Sequence, residues 1–331
     1  MIRIPASDLT ATLLRILSDL GFDSERAALC VRLFVEASAD GVYSHGVHRF
    51  PRFARMVRDG VVDVDAQAEP VECRGPLERW HGRRGPGNLN AHACMERAIS
   101  LAREHGLGCV ALAETNHWMR GGSYGWQAAE AGMIGICWTN TMPNLPPWGA
   151  TEARLGNNPL VIAVPRAAGH IVLDMAMSMF SYGALEAYRR RGEPLPVPGG
   201  FDADGELTRD AGAIEATGRA LPIGFWKGSG LALMLDLVAA MLSQGRGTHE
   251  IPSDSIAETG VSQFFLAIDP GALGDRERAD EIASGIIAHF LGSPPSAEVR
   301  FPGQHTAATR RTSFAEGILV DPAIWEEIQR L

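Results

Sequence analysis

Lysine is almost absent from this chain of 331 residues: Lys227 is its only lysine, and the other basic residues are arginines. A bias that replaces lysine with arginine leaves lysine mainly where arginine cannot serve, because ammonium is a compact charge and guanidinium a broad planar fork. Lys227 lies in the segment FWKGSG (225–230), directly before an apolar stretch. We therefore interpret it as an anion-binding residue; the alternative is a surface lysine retained by chance.

Three further deficits exclude whole classes of protein. The five cysteines have no CxxC spacing and an odd count, which predicts reduced thiols and a cytoplasmic location. The net charge is −9 and the arginine clusters are short and scattered, so nucleic acid is not an expected partner. No uninterrupted apolar run approaches the ~18 residues of a membrane span, and the first residues lack a secretory signal. We expect a soluble protein without a membrane partner.

Several familiar site motifs are also missing. The only near match to GxGxxG, at 106–111, follows a predicted helix and precedes a predicted strand, which is the reverse of the Rossmann order. There is no P-loop, no HExxH, no Cys/His cluster at zinc spacing and no GxSxG. The sequence therefore predicts no metal site and disfavours a hydrolase.

An anion site can be built in another way. Gly228-Ser229-Gly230 opens a predicted helix at 229–243, and the first amides of a helix lack intrahelical partners. Glycine permits close approach of a phosphate to the backbone, and Lys227 adds a positive charge. This pattern predicts a cradle for a diphosphate. The alternative is a helix capped by Ser229 with Lys227 in solvent.

The chain alternates between helical and extended patterns in a way that favours one α/β unit. Helices are predicted in the first sixty residues and at 88–104, 276–291 and 322–330, with a hairpin at 68–82. Short apolar runs that end in polar residues predict buried strands at 109–112, 134–138, 160–164, 171–173 and 261–268. Residues 191–220 are rich in Gly, Pro and acidic residues and are interpreted as an exposed excursion. We expect one catalytic unit with a mainly helical subdomain (1–75 plus 276–331) and a cofactor-binding sheet subdomain (76–275).

Two histidines are candidate acid–base groups. His45 and Arg49 are four residues apart, so on a helix they share a face, and Ser44 can orient the imidazole. A histidine can deliver a proton near neutral pH and an arginine can bind a carboxylate with two hydrogen bonds, which together suit reduction of a 2-oxo acid. His117, after Asn116 at a strand end, is the second candidate. The alternatives are a solvated His–Arg pair and a structural histidine.

Their neighbours His48 and Arg52 are interpreted as supporting or surface residues.

Six segments carry a resemblance to a known family: GVYSHGVHRFPRF (41–53), NHWMRGGSYGWQAAEAGMIGICWTN (116–140), PPWGA (146–150), DMAMSMFSYG (174–183), LPVPGGFD (195–202) and FWKGSG (225–230). Together they resemble the malate/L-lactate dehydrogenase-like family of NAD(P)-dependent oxidoreductases, which is unrelated to the Rossmann dehydrogenases.

The resemblance implies a fold, an assembly and a reaction. The fold is the non-Rossmann malate/L-sulfolactate dehydrogenase-like one, an α/β fold with a mixed, largely antiparallel sheet and helices from both chain ends. The protein is expected to be a homodimer that reduces a small-molecule 2-oxo acid with NADH, with NADPH as an alternative. His45 is the implied proton donor, and His117 takes that role in a ureidoglycolate-oxidising branch. Substrate-binding residues are then Ser44, Arg49 and Asn116.

The resemblance also implies a cofactor site made of three segments. Its residues are His170, Ile171, Val172, Leu173, Asp174, Met175, Ala176, Trp226, Lys227, Gly228, Gly303, Gln304 and His305. The sequence departs from the family pattern at Gln304-His305 and at Asn157, so the choice between NADH and NADPH stays open. Other substrates on the same scaffold also stay open, namely ureidoglycolate, malate or lactate, sulfolactate and a cyclic imino acid. A non-catalytic binding protein is disfavoured because His45, His117 and Lys227 are all present.

Overall fold

A computed structural model describes residues 1–254, 258–292 and 299–331. In chain order its helices are α1 (Ala6–Asp19), α2 (Ser24–Ala39), α3 (Phe50–Arg58), α4 (Gly87–His105), α5 (Gly122–Glu130), α6 (Tyr182–Arg191), α7 (Ala211–Thr217), α8 (Trp226–Ser243), α9 (Arg276–Leu291), α10 (Thr306–Glu316) and α11 (Pro322–Gln329). Its strands are β1 (Ile2–Ile4), β2 (Glu69–Arg74), β3 (Leu77–His81), β4 (Leu107–Asn116), β5 (Ile134–Thr139), β6 (Leu160–Val164), β7 (Ile171–Met175), β8 (Gly200–Phe201), β9 (Leu207–Thr208), β10 (Thr259–Ile268) and β11 (Ile318–Val320).

A seven-stranded sheet forms the centre of the fold. Its order is β2-β3-β4-β10-β5-β6-β7, and only the β3–β4 pair is parallel. The central strand β10 pairs with β4 on one side and β5 on the other, and seven of its ten residues are buried. A strand buried on both faces reads as a nearly continuous apolar run, which is why the sequence predicts this one. The expected hairpin and the five expected central strands are confirmed.

The two chain ends fold together on one side of this sheet. Strand β1 pairs with β11, and one core joins apolar residues of α1, α2 and α3 to Ile318, Val320 and Ile328 near the C-terminus. Asp23 caps α2 by accepting from the amides of Glu25 and Arg26, which explains why that helix starts where it does. The proposed division into a helical and a sheet subdomain places residues 69–75 with the helices, whereas β2 belongs to the sheet.

The excursion at 191–220 is more ordered than its composition suggests. Together with α6 it forms a small lobe with two short strands and α7, and Leu185, Leu195, Ala211 and Ile214 are buried in a core of its own. The interpretation as a merely exposed excursion is therefore wrong. A few apolar residues at the right positions suffice to fold such a lobe against a larger domain, and average composition hides them.

Helix α8 differs from its sequence prediction in two respects. It begins at Trp226 rather than at residue 229, after Phe225 adopts a positive φ of 60°. Among the described residues it is also the helix whose length and mean hydropathy of 1.2 would suffice to cross a membrane, with 28% of the span buried. Ala232, Leu235 and Ala239 pack it against the sheet, while the opposite face is exposed. The helix reaches this mean although it contains Lys227 and Asp236, so it is not an uninterrupted apolar run.

Candidate active site

A cleft of about 1950 Å³ lies between the helical layer, the edge strand β7 and the small lobe. The turns around His45 and Arg49 line one side, His117 lies at the base, and residues 172–176 with Gly303 line the far side. The lobe contributes the start of α6. The structure thus brings both candidate histidines, Arg49 and part of the expected cofactor segment to one cavity.

His45 is held by its neighbour Ser44. The Ser44 Oγ atom lies 2.9 Å from His45 Nδ1, so the hydroxyl fixes the ring orientation as the sequence suggests. Helix α6 packs directly on this pair, because a Cβ atom on Gly183 would lie 2.7 Å from Ser44 Cβ. The small lobe therefore supports the candidate acid–base group, and only glycine fits at position 183.

The helical-face argument for His45 and Arg49 is wrong in its geometry. Each residue ends a separate 3₁₀ turn, Tyr43–His45 and Val47–Arg49, with Gly46 between them at φ −105° and ψ −136°. A Cβ atom on Gly46 would lie 2.2 Å from Ser38 Oγ, so the chain turns sharply against α2 there. The two side chains still line the same cleft, which spacing alone did not establish.

The two imidazoles lie next to each other and are both neutral near pH 7. Their ring centroids are 5.8 Å apart with planes inclined by 25°. Burial, followed by the positive charges of Arg49 and Arg120, lowers the pKa of His45 from 6.5 to about 4. Burial first, and then Arg49, His45 and Arg52, lowers the pKa of His117 well below 6.5. Burial disfavours the charged form of each ring, and the surrounding cations add to that effect.

Arg49 shares one carboxylate with Arg52. Their Nη2 atoms lie 3.9 and 4.0 Å from Glu258 Oε2, too far for direct hydrogen bonds. Burial, followed by the charge of Arg52, lowers the pKa of Arg49 to about 10, so the guanidinium stays charged at neutral pH. Arg49 is thus a charged side chain in the cleft without a direct hydrogen bond to Glu258, which suits it to bind an anionic substrate. Arg52 lines the cleft rather than the outer surface.

Asn116 does not face the main cleft. Its Nδ2 donates to the carbonyl oxygens of Arg84 (2.7 Å) and Gly85 (3.0 Å), so the side chain holds the turn after β3. It lines a separate small cavity behind His117. Its amide donors are used by the backbone, whereas its Oδ1 has no partner among the described residues, so a role of Asn116 in orienting the substrate stays a prediction.

A buried ionic cluster lies between the histidines and the expected cofactor segment. Asp40 accepts hydrogen bonds from Arg120 and from Arg310, whose Nε is 2.6 Å away. Arg120 also lowers the pKa of the buried Asp174, although burial raises it more, and Asp174 accepts from the amide of Gly122 at 2.8 Å. The sequence does not indicate this cluster, since its members lie up to 270 residues apart.

The expected cofactor residues are divided between the cleft and other places. Val172, Leu173, Asp174, Met175, Ala176 and Gly303 line it. His170, Ile171, Gln304 and His305 do not: His170 Nδ1 accepts from the amide of Arg166, and Gln304 Oε1 accepts from the amide of Phe301. Gly303 has φ +84° and lies against β7, with Val172 donating its amide to Pro302 O. Thr306 lines the cleft instead and was not anticipated.

The segment around Lys227 does not form the cradle that the sequence suggests. The amides of Lys227, Gly228 and Ser229 donate to the carbonyls of Gly224, Ile223 and Phe225 respectively, so none of the three is free for a phosphate. A Cβ atom on Gly228 would lie 2.4 Å from Ile223 O, which means that this glycine serves the helix start itself. Trp226 and Lys227 are exposed and lie outside the cleft.

Comparison with known proteins places the chain among dehydrogenases and reductases. Residues 4–329 match the protein family described as malate/L-lactate dehydrogenase. The 2,3-diketo-L-gulonate reductase of Escherichia coli O6:K15:H31 is 46% identical over 332 residues, covering 99% of this chain and all of that protein. Sulfolactate dehydrogenase from Methanocaldococcus jannaschii is 26% identical with a TM-score of 0.91, covering 99% and 96% of the two chains. Malate dehydrogenase from Pyrococcus horikoshii is 29% identical with a TM-score of 0.89, covering 98% and 93%. The expected fold class is confirmed.

Proposed function

Because the chain belongs to the malate/L-lactate dehydrogenase family and is an oxidoreductase of 2-hydroxy or 2-oxo acids, we propose that it reduces the C2 ketone of 2,3-diketo-L-gulonate with NADH, giving 3-keto-L-gulonate. The observation that carries the proposal is the full-length identity of 46% to a 2,3-diketo-L-gulonate reductase, joined to a cleft that holds His45, His117 and Arg49 together. NADPH in place of NADH is the alternative cofactor.

The residues of the cleft suit the parts of such a substrate. Arg49 binds the C1 carboxylate, because its guanidinium is charged and has no direct hydrogen bond to Glu258. His45 holds the proton that the nascent alkoxide takes up, and Ser44 keeps the ring in place. His117 reaches the same end of the cleft, 5.8 Å from His45 between ring centroids. These roles are proposals drawn from the geometry.

The cleft also suits a nicotinamide cofactor. Its volume of about 1950 Å³ leaves room for a dinucleotide beside a sugar acid, and its far side is the edge strand β7 with Gly303 packed against it. A Cβ atom on Gly303 would lie 3.2 Å from Val172 N, so the loop needs a glycine to approach the strand. Residues 172–176 and Gly303 would hold the cofactor. When bound, NADH supplies the hydride for the ketone carbon.

A panel of 2-oxo acids assayed by loss of NADH absorbance at 340 nm tests the proposal. We expect 2,3-diketo-L-gulonate to have a kcat/KM at least tenfold above pyruvate, oxaloacetate, sulfopyruvate and Δ1-piperideine-2-carboxylate, with NADH preferred over NADPH. Turnover of another member of the panel but not of the diketogulonate would contradict the substrate and leave the family reaction in place. No turnover of any member would contradict the reductase proposal.

We also propose a homodimer and a cytoplasmic location, and the exposed face of α8 supports the dimer. Its apolar side chains in solvent are Trp226, Leu231, Leu233, Met234, Leu237, Met241 and Leu242. An apolar patch of this kind on a water-soluble chain marks a contact surface. Trp226 and Lys227 lie at the start of α8, outside the cleft of their own chain, so a contact between them and the cofactor would require the cleft of the partner.

Replacing Leu237 and Met241 together with glutamate tests this dimer. We expect light scattering after size exclusion to give twice the chain mass for the wild type and the single-chain mass for the double variant, which buries two charges at the contact. NADH binding is expected to weaken in parallel. Leu273→Glu, at a fully exposed loop position, serves as the control and should stay dimeric. A wild-type monomer would contradict the proposal.

A further inference from the structure

The neutral ring of His117 has only one place for its proton. The backbone amide of Met119 lies 3.0 Å from His117 Nδ1 and donates to it. An amide can only donate, so Nδ1 must offer a lone pair, and the ring proton is on Nε2. No described side chain or backbone group forms a hydrogen bond with Nε2, and His117 lines the cleft. A fixed N–H donor therefore faces the cavity.

The turn that presents this amide is rigid. Met119 has φ +64°, a conformation that residues other than glycine adopt at a cost of ~1–3 kcal/mol and keep only where the surroundings enforce it. Its side chain is buried in the helical core, and that of Trp118 is buried in the core under the sheet. Tyr124 Oη donates to Trp118 O at 2.5 Å. Two cores and a buried hydrogen bond thus hold the turn that fixes the ring.

His45 has no such constraint. Its Nδ1 faces the hydroxyl of Ser44, which can either donate or accept. The imidazolium form of His45 can therefore give up its Nε2 proton, and the neutral ring can take another, while the hydrogen bond to Ser44 is kept. The two histidines are similarly buried but differ in the partner of Nδ1, which is a hydroxyl for His45 and a backbone amide for His117.

We infer that His117 does not transfer a proton but acts as a permanent neutral hydrogen-bond donor to the substrate C2 oxygen, while His45 alone exchanges the proton. The inference rests on the proposed reduction of a 2-oxo acid. As the carbonyl carbon accepts a hydride from the reduced nicotinamide, the C=O electron pair moves to oxygen. His117 Nε2–H stabilises the developing negative charge and keeps its proton. His45, as the imidazolium, gives its Nε2 proton to that oxygen and becomes neutral, with its remaining proton on Nδ1 facing Ser44 Oγ. Solvent then reprotonates His45.

A hydrogen-bond donor at position 117 needs only an N–H group, whereas an acid–base residue must also exchange a proton. A substitution that keeps the N–H group but cannot exchange the proton therefore distinguishes the two roles. Glutamine at 117 offers a neutral N–H donor at about the reach of imidazole Nε2 but cannot exchange a proton near neutral pH. Loss of one donor to a developing oxyanion lowers kcat by ~10²–10³. We expect His117→Ala to lose that factor, and His117→Gln to recover at least tenfold of it. Equal activity of the two variants would overturn the inference, since an acid–base residue is lost in both.

Nitrogen NMR of histidine-labelled wild-type enzyme tests the ring directly, without any substrate. We expect His117 Nδ1 to show the shift of an unprotonated nitrogen and Nε2 that of a protonated one from pH 6 to 9. His81, whose Nδ1 accepts from the amide of Arg83 away from the cleft, supplies the reference signature. A proton on Nδ1 of His117 would overturn the inference.

The two experiments separate this inference from the proposed function. If the wild type fails to reduce 2,3-diketo-L-gulonate, the kinetic comparison is made with the panel member it does reduce, and the NMR result is unaffected. If the wild type reduces the diketogulonate but the Nε2 tautomer is absent, the proposed function stands and the donor role of His117 falls.

Discussion

Replacing His45 with alanine is expected to lower kcat for the 2-oxo acid by ~10²–10⁴, the usual contribution of a positioned general acid. The reason is that, of the described histidines lining the cleft, His45 is the one whose ring faces a hydroxyl, that of Ser44, whereas His48 and His117 accept from backbone amides. Binding of NADH, followed by quenching of tryptophan fluorescence, should stay within threefold of the wild type. Turnover near the wild-type rate would contradict the assignment of His45 as the acid.

Ser44→Ala provides the graded control for that variant. It keeps the imidazole and removes only the hydroxyl that orients it, so we expect a loss of about tenfold, between the wild type and His45→Ala. Gly183 packs on Ser44 without a side chain, so this substitution leaves the contact with α6 free of clashes. A loss as large as that of His45→Ala would place the proton-transfer role on the hydroxyl instead.

The same assignment fixes the direction of the pH dependence. Reduction needs the imidazolium form, whose fraction in the free enzyme falls as pH rises through and above the pKa of about 4. We therefore expect kcat/KM for reduction to fall with rising pH, and kcat/KM for oxidation of the hydroxy acid to rise to a plateau above pH 4. A bound carboxylate offsets the charge of Arg49, which is one cause of the depressed pKa. The pKa in kcat should consequently be higher than that in kcat/KM.

The sequence predicts the central strands β4, β5 and β10 well because they are largely buried apolar runs. It fails at Phe225, since a residue with positive φ and the carbonyl of Ile223 together start α8 earlier than the pattern indicates. It also gives no sign that the amide nitrogen of Asn116, a residue at a strand end, holds the turn at 84–85. A local sequence pattern predicts a helix or a strand. The hydrogen-bond partners of a polar side chain depend on segments that are distant in the sequence.

The candidate site was found in the sequence only in part, and for a physical reason. His45, Arg49 and His117 stand out because their residue types are few and chemically specific. Arg120, Glu258 and Gly183 do not, because arginine is common in this chain and a lone acidic residue or glycine carries no signal. Their roles arise from contacts across the fold, such as Asp40 with Arg310. A count of arginine against lysine singled out Lys227, which lies outside the cleft of its own chain.

Replacing Arg49 with lysine is expected to lower kcat/KM for the 2-oxo acid by ~10²–10³. Lysine keeps the positive charge but cannot offer the two parallel N–H donors that match a carboxylate, and each hydrogen bond to a charged group contributes ~1.5–3 kcal/mol. The measurement is the ratio of kcat/KM for a 2-oxo acid to that for its uncharged amide. The wild type should prefer the acid by at least a hundredfold, and Arg49→Lys should lose most of that preference.

Arg52→Lys is the matched control, because Arg52 faces the same carboxylate at nearly the same distance and its side chain has a similar exposed fraction. Glu258 Oε2 is 4.0 Å from Arg52 Nη2 and 3.9 Å from Arg49 Nη2, and the side chains are 20% and 23% exposed. If the only task of both arginines is to neutralise Glu258, the two variants will lose activity equally and the acid-to-amide ratio will not change in either. If Arg49 binds the substrate carboxylate, only Arg49→Lys will strongly lower the ratio of kcat/KM for the acid to that for the amide. The comparison thus separates binding of the substrate carboxylate from neutralisation of Glu258.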